Sequence, residues 1–391
     1  MNILYIGFDV ESVGGFANYS RHQIRALQKL GHAVFVVSLE TENNDRRVVP
    51  RIADVRVSCV GNDRVTLAML RLLVAHRGRF ELVMLNHVLL AVYGLVYKAI
   101  SRAPYAINAY NDDSLRKLSF AGQFALRRAG LVITNCQRTV DRMPEFHRRL
   151  PHVGLLPDPF DVASFRPVTK DDARTYIEQR YATGPLAERF VISTVARLSP
   201  PPNKGHRQTI DALARLRHRR YLYLIGGEGS DGDAIAIYAA ERGVTGQVHT
   251  LGLIDQDDLP KLYSASDVAV LLGSSTAGLS EAAPLGLVEA AACGVPFVCG
   301  SQDGSIELIS KARPYGVAID PNRPEQLAAV LQQLADNPAS AKTMGENGKS
   351  VVEATFSFER FSYNLAQLIS RRLGVAHGRV SGATLAANQR S

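Results

Sequence analysis

Cysteine is scarce in this sequence: Cys59, Cys136, Cys293 and Cys299 are the four in 391 residues. No CxxC pair occurs, and no His/Cys group has zinc-ligand spacing, which excludes a zinc module and a disulfide scaffold. Four scattered thiols in a chain this long read as buried residues of a reducing compartment. Long apolar runs are missing too. The longest charge-free one, residues 82–97, is too short to span a bilayer and contains Asn86 and His87. The opening MNILYIGFDVESVGG has no cationic segment and meets Asp9 early, which argues against a signal peptide. No internal repeat or low-complexity tract stands out. Helix-turn-helix, RRM and zinc signatures are absent, and the aromatic residues are not laid out for base stacking, so nucleic acid is not an expected partner. The expectation is a cytoplasmic chain, with a peripheral place at the inner face of a membrane left open.

What is present is ordinary globular composition, 46% hydrophobic and 21% charged. At roughly 100–200 residues per domain, the length predicts two or three domains. The net charge of +8 is unevenly placed. Residues 1–170 hold 23 Lys+Arg against 14 Asp+Glu, a net of +9, and the remainder is near neutral. The excess suggests an anionic partner for the first part of the chain.

Short β-branched runs alternate with amphipathic stretches. In the first half the strand candidates are residues 2–7, 33–39, 54–60, 81–86, 105–110 and 131–135. In the second they are 190–196, 221–226, 248–251, 268–272, 295–299 and 316–319. Helical patterns lie between them, among them residues 20–30, 206–216 and 324–335. Such alternation argues for parallel, doubly wound sheets, and a dozen strands are too many for one ordinary domain. The segment LPDPFDVASFRP, residues 156–167, carries three prolines and marks the boundary. The expected division is 1–167, 168–355, a long helix over 356–373, and a frayed tail over 374–391. Ligands of open α/β sheets bind at the carboxyl ends of the strands, so two such domains facing a cleft can hold a nucleotide and a second substrate.

Four local features carry chemistry. VARLSPPPNKG places Arg197 at a strand end and Lys204 at a helix start, two fixed cations suited to a diphosphate leaving group. EAAPLGLVE sets Glu281 and Glu289 eight residues apart, with Leu285, Gly286 and Leu287 at a helix start between them. LIGGEG ends a strand at Gly226 in glycines that let a ligand approach the backbone, although it matches neither a P-loop nor GxGxxG. Gly14 and Gly15 follow the first strand similarly. The bland readings are solvated cations, a helix cap with a surface glutamate, and simple turns. Asp231, Gly232 and Asp233 mimic a DxD metal motif, but at a helix start they read as capping residues, as do Asn111, Asp112 and Asp113.

Taken together, their order and spacing resemble glycosyltransferase family 4, of the GT-B fold. The family's second domain has a strand ending in GRL, then KG, a strand with GxG, E-x7-E, and a GxPVV strand. The counterparts here are Ala196–Arg197–Leu198, Lys204–Gly205, the glycines from Gly226 to Gly229, Glu281 with Glu289, and CGVPFV. LPDPFDVASFRP is similar to the family's IPNGVDxxxFxP, with Asp161, Phe165 and Pro167 in place. The resemblance reaches nearly to Leu373.

It implies a GT-B architecture, two Rossmann-like domains with a C-terminal helix crossing back to the first. It further implies a retaining transferase that needs no metal or other cofactor, taking a UDP- or GDP-linked sugar as substrate and a glycan or lipid-linked acceptor. Arg197 and Lys204 would neutralise the diphosphate, with Glu281 holding the transferred sugar. Glu289 would meet the ribose, Leu285 to Leu287 the phosphates or sugar, Gly226 and Leu253 the nucleotide, and Gly15 the donor phosphates from the other domain. His87, Tyr110 and Asn108 are the candidate acceptor or sugar contacts. The chain departs from EGFGLVxLE at Pro284 and Gly286, and Tyr110 stands where a histidine is usual. Residues 114–149 hold eight cations, among them Arg116, Lys117, Arg127 and Arg128, interleaved with Leu and Phe, a pattern suited to an anionic membrane or to a helix packed by its apolar side. A nucleotide-sugar 2-epimerase of the same fold and a non-catalytic sugar-nucleotide binder are the other readings.

Overall fold

The computed structural model describes residues 1–12, 15–41, 51–59, 65–110, 115, 118–146, 152–198, 204–216, 218, 220–273, 284–302, 304–309 and 312–374, with the side chains of 142–146 left out. The chain forms two compact units, Met1–Pro159 with Phe358–Ser391, and Phe160–Ser357.

In the first unit β1 (Asn2–Phe8), α1 (Gly15–Lys29), β2 (Ala33–Glu40), β3 (Val55–Ser58), α2 (Val65–Ala75) and β4 (Leu82–Leu85) come first. They are followed by α3 (Ala91–Ser101), β5 (Tyr105–Asn108), α4 (Phe120–Arg127), β6 (Leu131–Thr134), α5 (Gln137–Phe146) and β7 (Val153–Leu155). The strands make one parallel sheet in the order β3-β2-β1-β4-β5-β6-β7. Side chains alternate across it with period two. Leu4, Ile6, Val83, Leu85 and Ile107 share one core with Met69, Leu73 and Tyr97 of α2 and α3. Ile3, Tyr5, Met84 and Leu131 share the opposite core with Ile24 and Leu27 of α1.

The second unit runs α6 (Lys170–Tyr181), β8 (Phe190–Val195), α7 (His206–Leu216), β9 (Tyr221–Gly226), α8 (Gly232–Glu241), β10 (Val248–Gly252) and α9 (Leu259–Ala265). It continues with β11 (Val268–Leu271), α10 (Leu285–Ala292), β12 (Phe297–Gly300), β13 (Gly316–Ile319), α11 (Pro324–Asp336) and α12 (Pro338–Thr355). Its parallel sheet has the order β10-β9-β8-β11-β12-β13. The helix ends follow local chemistry. Thr169 caps α6 by accepting from the Asp172 amide, and Ala182 closes it in the left-handed conformation.

The division falls at Pro159, eight residues before the expected one. Phe160 and Phe165 are buried with Ala173, Ile177 and Leu186, so most of the proline-rich segment belongs to the second core. The last helix, α13 (Phe358–Leu373), belongs to the first unit, where Phe361, Leu365 and Ile369 pack against Ile3 and Tyr5.

Candidate functional site

Both sheets place a topological switch beside their first strand. From β8 the chain steps outward through β9 to β10, then returns to β11 on the other side of β8. The carboxyl end of β8 is therefore where a ligand of an open α/β sheet is expected. Arg197 lies two residues past it. The amides of Ala196 and Leu198 donate to the carbonyls of Gly226 and Glu228, each at 2.9 Å, so the loop rides along the extension of β9. Arg197, between these two anchors, is exposed.

This close approach explains the glycines. Gly227 has φ +139° and Gly229 φ +152°, and a Cβ on either would lie 1.9 Å from the carbonyl oxygen of Ala196 or Leu198. The expected room for a ligand is taken here by the protein's own backbone. Gly226 is fully buried at the strand end. The Gly227 amide donates to the Gly252 carbonyl at 2.7 Å. Leu253, just beyond, is 56% exposed, available to an apolar or flat group.

Lys204 and Gly205 open α7. The Lys204 carbonyl accepts from the Leu272 amide at 3.3 Å, tying the turn to the end of β11. Gly205 has φ +86°, and a Cβ there would lie 2.5 Å from the Leu272 Cβ. Behind the turn is a hydrogen-bond chain that the sequence did not announce. Thr194 Oγ1 donates to the Val270 carbonyl at 2.5 Å, and Tyr223 Oη donates to Thr194 Oγ1 at 2.8 Å. His206 Nδ1 lies 2.8 Å from Tyr223 Oη; with the phenol proton already used, Nδ1 is the donor. Burial, with the Lys204 charge adding to it, pushes the His206 pKa down to about 4. The imidazole is therefore neutral near pH 7.

Glu289 lies one turn into α10. Tyr263 of α9 donates to its Oε2 at 3.0 Å. Burial raises the carboxyl to about 7, against the pull of that hydrogen bond. A Cβ on Gly286 would come within 3.2 Å of Tyr263 Oη and 3.5 Å of the Val195 carbonyl, so the first turn of α10 abuts the end of β8. Leu285 is partly exposed, while Leu287 is a core residue at 1% exposure. Arg197 and the first turn of α10, with Gly286 and Glu289, thus stand at the end of β8, and Lys204 stands at the end of the neighbouring β11, where α7 begins. That arrangement suits a diphosphate and a neighbouring hydroxyl pair. Glu281 lies outside the described residues. Asp231 stands at the cap position of α8 but makes no side-chain cap bond, which corrects its expected role; its carboxylate lies 4.0 Å from the Arg207 guanidinium. Among the described residues no His/Cys/Asp/Glu group is arranged to hold a metal ion.

In the first unit Gly15 begins α1 with open space where a side chain would stand. His87 follows β4, caps the short helical turn Val88–Leu90, and meets Phe8 and Phe16 edge-on at 5.7 and 5.6 Å. Burial pushes its pKa down to about 4. Tyr110 packs edge-on against Phe16 and Tyr19 at 4.7 and 5.3 Å, and its hydroxyl is buried with no hydrogen-bond partner among the described residues. Asn108 departs from expectation. It is buried, and its amide both donates to and accepts from Gln23, at 2.7 and 3.0 Å, so it belongs to the core and not to an acceptor surface. Asp158 was missed. It is half-buried, accepts from Asn135 Nδ2 at 2.9 Å, and desolvation raises its pKa to about 6. Its signal was its place at the asparagine position of the IPNGVD-like segment.

The basic segment also differs. Leu115 is helical, residues 118 and 119 are not, and a second helical stretch begins at Phe120, where Ser119 accepts from the Gly122 amide. Leu115, Leu118 and Leu126 are buried, whereas Phe120 is 85% and Phe124 44% exposed. Arg127 and Arg128 are exposed; Arg116, Lys117 and residues 111–114 lie outside the described residues.

Comparison with known proteins agrees with this architecture. The family described as glycosyl transferases group 1 matches residues 177–351, and the glycosyl transferase 4-like domain matches residues 14–158. The chain is 18% identical to the Anabaena protein HepE in complex with UDP, with a TM-score of 0.76 over 95% of this chain and all of that one. It is 28% identical over 237 residues to a Corynebacterium glutamicum GDP-mannose-dependent monoacylated alpha-(1-6)-phosphatidylinositol monomannoside mannosyltransferase, covering 60% of each chain. It is 30% identical over 223 residues to the GDP-mannose-dependent alpha-(1-6)-phosphatidylinositol monomannoside mannosyltransferase of Mycolicibacterium smegmatis, covering 56% of each. The matched part thus spans little more than half the length of these two relatives. Two doubly wound parallel units of seven and six strands define the GT-B architecture. The chain belongs to glycosyltransferase family 4.

Proposed function

We propose that the chain transfers a sugar from a nucleoside-diphosphate sugar to a hydroxyl acceptor, with retention at the anomeric carbon and without a metal ion. What supports this is Arg197 just past the switch-point end of β8, Lys204 at the start of α7 beside the end of the adjacent β11, and Glu289 of α10 set against Tyr263. The cations would neutralise the departing diphosphate as its charge develops. The Glu289 carboxylate would accept from the ribose hydroxyls. In the step itself the bond from the anomeric carbon to the diphosphate oxygen breaks and the bond to the acceptor oxygen forms on the same face. The acceptor proton passes to the leaving diphosphate. GDP-mannose is the first donor to test, because two relatives are named for it; UDP-sugars are the second, because a structural neighbour holds UDP.

The test is incubation of the chain with each donor, without acceptor, and analysis of the products. Slow release of free sugar together with the nucleoside diphosphate supports transfer. Recovery of an epimerised donor, or binding with no turnover of any donor or of donor with added glycan and lipid acceptors, overturns it.

A further inference from the structure

We propose that the outer face of α3 and α4, with the helical turn Val88–Leu90, is a docking surface for an anionic lipid bilayer. This goes beyond the transferase reading and does not depend on it. Leu89, Val92, Phe120 and Phe124 are 50%, 37%, 85% and 44% exposed. They stand on neighbouring elements, since α4 packs against both α3 and the Val88–Leu90 turn. The apolar residues of α4 have divided: Ala125 and Leu126 entered the core, while both phenylalanines stayed outside. Burying a Phe is worth about 1.5–3 kcal/mol, so leaving Phe120 in water is a cost that a second phase can recover.

Charge complementarity selects the phase. The three helices α2, α3 and α4 contain no acidic residue. Arg127 and Arg128 end α4, with the Arg128 guanidinium 5.0 Å over the Phe124 ring, so charge and apolar surface are coupled in one patch. Glu81, the acidic residue between α2 and β4, accepts from the Asn2 amide at the amino end of β1. An aromatic patch edged by arginine, on helices whose described residues include no carboxylate, matches an interface where rings enter the headgroup layer and guanidinium groups meet lipid phosphates. Among the described residues no helix is long and apolar enough to cross a membrane, so contact by this face is peripheral.

The test is co-sedimentation of the whole chain, without donor, with vesicles of phosphatidylcholine alone and of phosphatidylcholine with phosphatidylglycerol. The wild type is expected to sediment with the anionic vesicles at low salt and to be released by high salt. The double variant Phe120→Ser/Phe124→Ser should partition at least about tenfold more weakly. Arg127→Gln/Arg128→Gln should lose about tenfold on anionic vesicles alone. Melting temperatures of both variants should match the wild type, because all four side chains are exposed; the arginine pair keeps the test decisive if the phenylalanine pair unfolds. A wild type that stays in solution with both vesicles overturns the proposal. So do variants that bind as the wild type does, or a wild-type dimer that Phe120→Ser dissociates, which would assign the face to a second copy of the chain.

Discussion

The Tyr263 hydroxyl donates to Glu289 Oε2 at 3.0 Å, across the gap between α9 and α10. Among the described residues it is the hydrogen bond that this carboxyl accepts, and burial has raised the group to about 7, so it is costly to ionise. A ribose diol would supply two further donors. In the proposed reading this carboxyl carries a cost that a bound ribose would relieve, a common stability–function exchange.

Glu289→Gln should raise stability above pH 7, on the order of 1–2 kcal/mol after discounting for partial exposure, and weaken nucleotide binding. The sign follows from proton binding. Between its ordinary value of 4.5 and about 7, the folded protein holds a proton that the unfolded chain has released. Stability from this group therefore falls as pH rises through that window. Melting curves at pH 5 and pH 8 check it: the variant should gain at pH 8 and not at pH 5.

His206 and His87 act in the opposite direction. Their folded values near 4 lie below the ordinary 6.5, so their contribution is present above pH 6.5 and lost as pH falls toward 4. His206→Gln should flatten the acid limb of the stability curve. Because Gln can still donate to Tyr223, it should alter turnover less than His206→Leu, which leaves Tyr223 without its donor behind the Lys204 turn. Equal losses in both variants would remove the positioning role of that hydrogen bond.

Gly227→Ala and Gly229→Ala should destabilise the second unit by more than about 3 kcal/mol each, since both strain a positive φ and drive a methyl group into a carbonyl oxygen. Gly15→Ala, at a position open on all sides, should leave the melting temperature unchanged. Thermal unfolding of the three variants distinguishes the cases.

Much of this was legible in residue order. His206–Leu216 and Tyr221–Gly226 lie where the periodicity placed them, because each joins a strong pattern to a clear end signal. The three-residue β7 was missed: Val153–Leu155 is an edge strand too short to show alternation. The cations at residues 197 and 204 were readable as a pair. The burial of Glu289 was not, since its partner Tyr263 is 26 residues away and meets it only through packing. Asn108 misled for the same reason. A strand-end asparagine reads as a ligand contact until Gln23, on α1, is seen to occupy its amide. The outward Phe120 follows from Ser119 taking the cap, which resets the helix phase.

The most direct measurement is the transfer rate of Arg197→Ala and Lys204→Ala with the donor that the wild type uses. Each should lose at least about a hundredfold in kcat, with the melting temperature unchanged, because each removes charge that matters most as the diphosphate departs. Turnover near the wild-type rate in either variant would contradict the assignment of the β8 end as the donor site.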